Sequence, residues 1–127
     1  MGLPVKDVMQ ASSQMLQKQL YAIFTTPTGA IEPILENLEE HLAFQVSLER
    51  EGILYAAGPM WSDDEQSWDG DGLVVVRAAS RDEARAIAER DPMHVSGARK
   101  FTVRPWMINE GTVTIRLDSS SQTFSVL

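Results

Sequence analysis

The fold is decided by the stretch Glu51-Gly52-Ile53-Leu54-Tyr55-Ala56-Ala57-Gly58-Pro59, which joins a helix to a strand. Gly52 is typical of a helix C-terminus, because glycine adopts the left-handed backbone without a steric penalty. The run from Ile53 to Gly58 is apolar throughout, which predicts a strand buried on both faces or nearly so. The elements on either side follow from this junction.

Upstream of the junction the pattern predicts a long helix from about Ile31 to Glu51. Pro33 fits its first turn, where a missing N–H has no cost. An apolar stripe recurs at helical spacing and is predicted to pack in the core between helix and sheet; it is formed by Ile31, Leu35, Leu38, Leu42 and Val46. Gln19 to Thr25 is rich in β-branched and aromatic residues, so it is predicted to be the first strand.

Downstream, Leu73 to Arg77 is predicted to be a third strand. Ser80 and Glu83 have the spacing of a capping box and predict a short helix. That helix should end at Asp91, because Pro92 disfavours helical geometry in the residue before it. Phe101 to Met107 is the predicted fourth strand, and the alternation in Thr112 to Leu117 suggests a half-exposed fifth.

This order predicts an α+β fold of the ferredoxin-like βαββαβ type, with an antiparallel sheet and both helices on one face. Residues 19–109 would form the domain, preceded by an arm or short helix over 1–18 and followed by an extra strand and tail over 110–127. The four apolar strands imply that the second sheet face is covered. A second copy of the chain is the simplest cover, which predicts a homodimer.

Composition excludes several kinds of protein. The chain has 127 residues, no cysteine and a formal net charge of −7. It therefore has no disulfide framework and no Cys-based metal site. A negative surface repels phosphate backbones, so nucleic-acid binding is not expected. With no membrane span or export signal in the sequence, we expect a cytoplasmic protein.

His41 and Asp91 are the candidate acid–base pair, because His and carboxylate groups transfer protons near neutral pH. Each has a structural alternative. His41 lies at the edge of the helix stripe and could instead bond a backbone carbonyl. Asp91 could bond local amides, although a helix C-terminus is unfavourable for an anion.

Other polar and aromatic residues also have both a functional and a structural interpretation. His94 follows Asp91 by three residues and, together with His41, could hold a divalent metal, but no dedicated motif is present and no metal is predicted. Trp61 and Trp68 lie in a long acidic loop; they could cover a substrate or anchor the loop. Arg104 could pair with an anionic substrate or simply pack at a strand end.

Several of these pieces occur together in one known family. They are His41-Leu42, Glu51-Gly52-Ile53-Leu54 with Ala57-Gly58-Pro59, Ser80 with Glu83-Ala84, Asp91-Pro92 and Val103-Arg104-Pro105-Trp106. In this order and spacing, over about Gln19 to Met107, the chain resembles the YciI-like (YCII-related) family of the dimeric α/β-barrel superfamily.

The resemblance implies a homodimer, a cleft between sheet and helices, and a His–Asp site, here His41 and Asp91. Members include a dehalogenase acting on chlorinated muconolactones, and relatives include muconolactone isomerase. Met93 stands where the family usually has an aromatic residue. We therefore expect it, with Trp61 and Arg104, to shape the substrate pocket.

The leading hypothesis is a small-molecule enzyme that needs no cofactor, of the lactone or enol isomerase, lyase or dehalogenase type. The alternative is a non-catalytic ligand-binding or accessory module with the same dimeric fold. A third hypothesis is a cofactor-free or haem-linked monooxygenase, for which His41 would need an open apolar pocket.

Overall fold

The computed structural model describes residues 2–127. Its helices and strands are, in chain order, α1 (Val5–Ala11), β1 (Lys18–Pro27), α2 (Glu32–Arg50), β2 (Leu54–Pro59), β3 (Gly72–Val76), α3 (Arg81–Glu89), α4 (Pro92–Val95), β4 (Arg99–Ile108), β5 (Ile115–Asp118) and β6 (Thr123–Val126). Among these residues, no helix combines the length and the apolarity that a membrane span requires.

The main sheet has four strands in the order β2-β3-β1-β4. Strand β3 pairs antiparallel with both β1 and β2. This is the ferredoxin-like order, in which the first and third strands lie side by side at the centre. The α+β, ferredoxin-like prediction is confirmed.

The core lies on the sheet face that α2 and α3 cover. The register pairs Tyr21 with Val76 and Ile23 with Val74, and their side chains share that face. They cluster with buried residues of the two helices, among them Leu48 and Ile87. Burial of this apolar surface is the main stabilising contribution, and it holds α2 against the sheet.

The predicted buried face of α2 was right only for Ile31 and Leu38, which are partly buried against a core cluster. The buried residues of this helix are Ile34, His41 and Leu48, whereas Leu35, Leu42 and Val46 of the predicted stripe are exposed. Apolar periodicity identified the helix but not its orientation, because both faces carry apolar side chains. His41 therefore lies on the buried face itself and not at the edge of an apolar stripe.

Strand β2 was predicted to be buried, but it is an exposed edge strand. Only Leu54 is even partly buried, and the residues from Tyr55 to Pro59 are exposed. The pairing with β3 also shifts by one residue between Leu54 and Ala56, which leaves Tyr55 at a bulge. The apolar sequence of β2 predicts a buried strand, whereas in the structure much of this strand faces an open cleft.

The second sheet face is less bare than we expected. Leu20, Ala22 and Val75 alternate with the core residues and are buried, while Phe24 beside them is partly exposed. These buried residues leave less of the sheet face for a second copy to cover, and the homodimer stays a prediction.

The segment after α3 differs from the prediction of one helix running to Asp91. Helix α3 ends at Glu89, and Asp91 begins a separate short helix, α4, as its N-cap. Pro92 is the first residue of α4, a position where proline is well tolerated. Asp91 thus sits at a helix N-terminus, which is electrostatically favourable for an anion.

The contacts divide the chain into two units: Gln19–Trp106, and the two chain ends up to Lys18 and from Met107 onward. The ends contain α1 and a hairpin of β5 and β6. We predicted a half-exposed strand over Thr112 to Leu117, but β5 covers Ile115–Asp118 and is fully exposed apart from Asp118. Its partner β6 was not foreseen.

Candidate active site

A cleft of about 800 Å³ lies beside helix α2 within the Gln19–Trp106 unit. Leu38, Leu42 and Val46 of α2 contribute to its wall, while β1, β2 and β3 line it from the sheet. The apolar stripe that was predicted to face the core thus faces this cleft in part. The lining is largely apolar, so the few polar groups in it determine what chemistry it can perform.

His41 and Asp91 form a buried pair at this cleft. Nδ1 of His41 lies 2.9 and 2.8 Å from the two carboxylate oxygens of Asp91, and each residue is 4% exposed. A carboxylate only accepts hydrogen bonds when ionised, so Nδ1 carries the proton and donates it. His41 lines the cleft and Asp91 does not, which makes Asp91 the group that orients the imidazole.

Local structure holds Asp91 in place. As N-cap of α4, its Oδ1 accepts a hydrogen bond of 2.9 Å from the backbone N–H of Met93. The sequence Asp-Pro produces this geometry, because Pro92 keeps the preceding residue extended and starts the helix. The helix cap therefore holds the carboxylate in position independently of its hydrogen bond with His41.

The other nitrogen of His41 is also occupied. Nε2 contacts the side-chain amide nitrogen of Gln45, one helical turn along α2. With the proton on Nδ1, Nε2 is an acceptor and Gln45 donates to it. The amide oxygen of Gln45 is then buried with no partner among residues 2–127. Sequence reasoning missed Gln45, although its i+4 spacing from His41 was a usable signal.

Arg99 is a second residue that the sequence did not reveal. It begins β4, is buried and lines the cleft. Its Nε donates a 2.8 Å hydrogen bond to the carbonyl of Gly70. Gly70 has φ +101°, and a Cβ there would lie 2.7 Å from Cγ of Pro27, so only glycine fits this position.

Thr25 lines the cleft and pairs with His94, which is not among the lining residues. The two are joined by a 2.8 Å hydrogen bond between Oγ1 and Nε2, and Nδ1 of His94 lies 2.6 Å from the carbonyl of Ala88. Nδ1 therefore donates to Ala88, and Nε2 accepts from Thr25. Burial lowers the pKa of His94, although the Ala88 hydrogen bond and the charge of Asp91 act in the opposite direction.

The remaining predicted residues occupy different places. Trp61 lines the cleft, as does Trp68, whose indole N–H donates to the carbonyl of Asp71. Met93 is fully buried in a small cluster with Ile34 and is not among the lining residues. Arg104 is exposed on β4 and is likewise outside the cleft lining. Their roles in substrate binding stay predictions.

The metal alternative finds no support from geometry. Both nitrogens of His94 point to Ala88 and Thr25 and not toward the His41–Asp91 pair. Within residues 2–127, no three His, Asp or Glu side chains are placed to hold a metal ion together.

Comparison with known proteins identifies the family. The model of the YCII-related domain matches residues 19–107, most of the chain. The chain therefore belongs to the YCII-related family, as the sequence resemblance indicated. A search of curated proteins finds no match.

The chain is similar in fold to a solved structure. It is the 5-chloro-2-hydroxyhydroquinone dehydrochlorinase of Burkholderia phenoliruptrix AC1100 in complex with 2,5-dihydroxybenzoquinone. The superposition has a TM-score of 0.57 and 22% sequence identity, and it covers 68% of this chain and 92% of that one. The TM-score shows a common fold, and at this sequence identity the likeness shows the fold alone.

Proposed function

We propose that this protein is a small-molecule enzyme in which His41 transfers a proton and Asp91 orients the imidazole ring of His41. The observation that carries the proposal is the buried His41–Asp91 pair at the wall of an apolar cleft. With the proton held on Nδ1, the lone pair of Nε2 is the basic group on the other side of the ring. An imidazole in this arrangement is suited to general acid–base catalysis.

The chemistry we propose is elimination or isomerisation of a flat, oxygenated ring compound. In elimination, Nε2 takes a proton from the substrate, the released electron pair forms a double bond, and a halide leaves with the electrons of its carbon–halogen bond. In isomerisation, His41 returns the proton to another carbon of the same molecule. Membership in the YCII-related family and the dehydrochlorinase fold neighbour both favour this class.

The side chain of Gln45 must move away from Nε2 of His41 before this nitrogen can accept a proton from a substrate. Its amide currently occupies the acceptor position of His41, so the substrate has to displace it. The buried, unpartnered oxygen of Gln45 makes this contact less stabilising than a fully satisfied amide, because an unpaired polar atom costs free energy. Rotation of Gln45 would therefore expose Nε2 at a modest cost.

The test is a screen of chlorinated hydroxyhydroquinones and chlorinated lactones, with chloride release and ring absorbance as readouts. We expect turnover by the wild type, and a loss of at least a hundredfold in kcat for His41→Gln, in line with general acid–base contributions of about 10²–10⁴. Asp63→Asn, an exposed acid-to-amide change, is the control and should retain full activity. Equal kcat in wild type and His41→Gln would refute the proposal.

One observation favours the alternative of a non-catalytic binding module. Both ring nitrogens of His41 are engaged by neighbours, as in a structural histidine. Under that alternative, ring compounds would bind in the cleft without turnover, and Gln45→Ala would change affinity only. Under the enzyme hypothesis, Gln45→Ala should lower KM or raise kcat, since Nε2 is already free.

A further inference from the structure

Arg99 is a buried charge with very little compensation. It is 5% exposed, and its one side-chain hydrogen bond among residues 2–127 is from Nε to the Gly70 carbonyl. No carboxylate there forms an ion pair with it; the charges of Asp91 and Asp71 act only from a distance, while burial lowers the pKa of the guanidinium. A guanidinium nevertheless stays protonated, so the positive charge is retained.

The terminal nitrogens of Arg99 lie at the cleft. The residue is part of the lining, and its Nη1 is 3.7 Å from the point that a Cβ on Gly72 would occupy. Gly72 also lines the cleft, and a methyl group at this position would be in ordinary van der Waals contact with the guanidinium. The indole ring of Trp68 flanks it, with 5.9 Å from the guanidinium carbon to the ring centroid.

Neither Thr25 nor Glu49, two other polar residues of the lining, replaces Arg99 as an anion-binding group. Thr25 directs its hydroxyl proton to His94, which leaves it an acceptor toward the cleft. Glu49 is itself acidic, and Arg99 is the only Lys or Arg residue in the lining. A cation that is mostly removed from water and has no ion-pair partner costs free energy that an incoming anion can offset.

We propose that Arg99 binds a delocalised oxygen anion, such as a carboxylate or an enolate, carried by a flat ring that fills the apolar cleft. The forked guanidinium matches paired or conjugated oxygens better than a point charge does. This assignment rests on the proposed function, in that it names the substrate class of the same cleft: ring compounds that are already ionised when they bind.

The test compares benzoate with benzamide, two flat probes of nearly equal size that differ in charge. Binding is measured by NMR titration at millimolar probe, following the indole N–H of Trp68 and the Nε–H of Arg99. We expect the wild type to bind benzoate at least tenfold more tightly than benzamide. Equal affinities, or no saturable benzoate binding, would overturn the proposal.

Three variants make the test specific. Arg99→Gln should remove the preference for benzoate, and Arg99→Lys should retain only part of it. Because both can loosen the Gly70 contact, their folding is checked by circular dichroism. Gly72→Ala leaves Arg99 in place and adds a methyl in ordinary contact, 3.4 Å from Cγ2 of Thr25; it should weaken the binding of both probes.

Failure of this proposal is distinguishable from failure of the proposed function. In His41→Gln the benzoate preference should persist, because that variant removes the proton-transfer group and leaves the guanidinium intact. A folded Arg99→Gln variant that still prefers benzoate tenfold would overturn the Arg99 assignment, whatever the outcome of the turnover screen. A preference that is lost in Arg99→Gln and kept in His41→Gln would support it even if no substrate is found.

Discussion

Asp91 accepts hydrogen bonds from two partners, and both bonds depend on its ionised carboxylate or on its position at the start of α4. It accepts from Nδ1 of His41 and from the N–H of Met93. The first bond sets which nitrogen of His41 carries the proton, and the second fixes the start of α4. A single side chain thus links the helix cap to the tautomer of the candidate base.

Asp91→Asn should reverse the His41 tautomer. The new amide can still cap α4 through its oxygen, but its NH₂ group donates toward Nδ1, which must then accept. Nε2 becomes protonated, and the Gln45 amide has to turn its oxygen toward it. We expect the ¹⁵N chemical shifts of the two ring nitrogens to exchange, together with a stability loss of about 1–3 kcal/mol from the lost charge-assisted bond.

The control for this change is Asp63→Asn, since Asp63 is exposed in the loop before β3. In the Asp63→Asn variant, the ¹⁵N chemical shifts of the His41 imidazole should match those of the wild type. Unchanged shifts in Asp91→Asn would contradict the assignment of the proton to Nδ1.

His94 makes stability depend on pH. Its pKa is lowered, mainly by burial, so below about pH 6.5 the unfolded imidazole takes up a proton that the folded one does not. Stability should therefore be full above about pH 6.5 and fall as pH drops toward the folded pKa. Charges of Asp91, Arg99 and His41 act on the same group.

His94→Gln should flatten this dependence, because glutamine does not titrate and can still donate to Ala88. We expect urea unfolding at a series of pH values to show a smaller loss of stability below neutral pH in the variant than in the wild type. Parallel curves for the two proteins would show that His94 does not cause the acid destabilisation.

Helix α2 has two apolar sides, one that packs in the core and one that lines the cleft. One side, including Ile34 and Leu48, packs in the core, and the other contributes Leu42 and Val46 to the cleft. This explains why the sequence pattern identified a stripe that is not the buried one. The cleft side of α2 is apolar because it forms part of the cleft wall. The core side is apolar because its burial stabilises the fold.

Leu48→Ala and Leu35→Ala make the same chemical change on the two sides of α2. Leu48 is 1% exposed and Leu35 is 54% exposed. We expect Leu48→Ala to cost about 2–5 kcal/mol of unfolding free energy, because it leaves a cavity, and Leu35→Ala less than about 0.5 kcal/mol. Denaturant unfolding measures both, and similar losses would mean that the helix is rotated relative to the structure.

The exposed apolar surface of the chain ends points to assembly. In the hairpin, Ile115 faces Val126 and Leu117 faces Phe124 across the two strands, and all four side chains are 65–72% exposed. A two-stranded hairpin of this kind is marginal in water without a surface to pack on. We therefore predict that the protein is a homodimer and that this hairpin face contributes to the contact.

Sedimentation of the full chain at micromolar concentration tests this prediction. The wild type should sediment as a dimer, and Leu117→Glu combined with Phe124→Glu should shift it toward monomer by placing charges on the apolar face. Ser125→Glu, on the opposite face of the hairpin, should leave the dimer intact. A monomeric wild type would rule out the dimer itself, and a dimer that is insensitive to the double change would place its interface elsewhere.

The order of the main elements was predictable from the sequence because the signals are local. Gly52 ends α2, Ser80 caps α3 by accepting from the N–H of Glu83, and strand composition marks β1 to β4 of the ferredoxin-like sheet. These signals act within a few residues along the chain, so one sequence contains them completely. The pairing of His41 with Asp91, 50 residues apart, was indicated by the family resemblance and not by such local signals.

What lies around that pair was decided only by the tertiary structure. The buried side of α2, the exposure of β2 and the contact of Gln45 with His41 depend on which surfaces meet across long sequence distances. Arg99 precedes the predicted fourth strand and resembles any other basic residue in the sequence, and only the packing of β4 beside Gly70 and Gly72 turns it into a buried charge at the cleft. Periodicity specifies which residues share a face of an element, but the face that is buried depends on the elements packed against it.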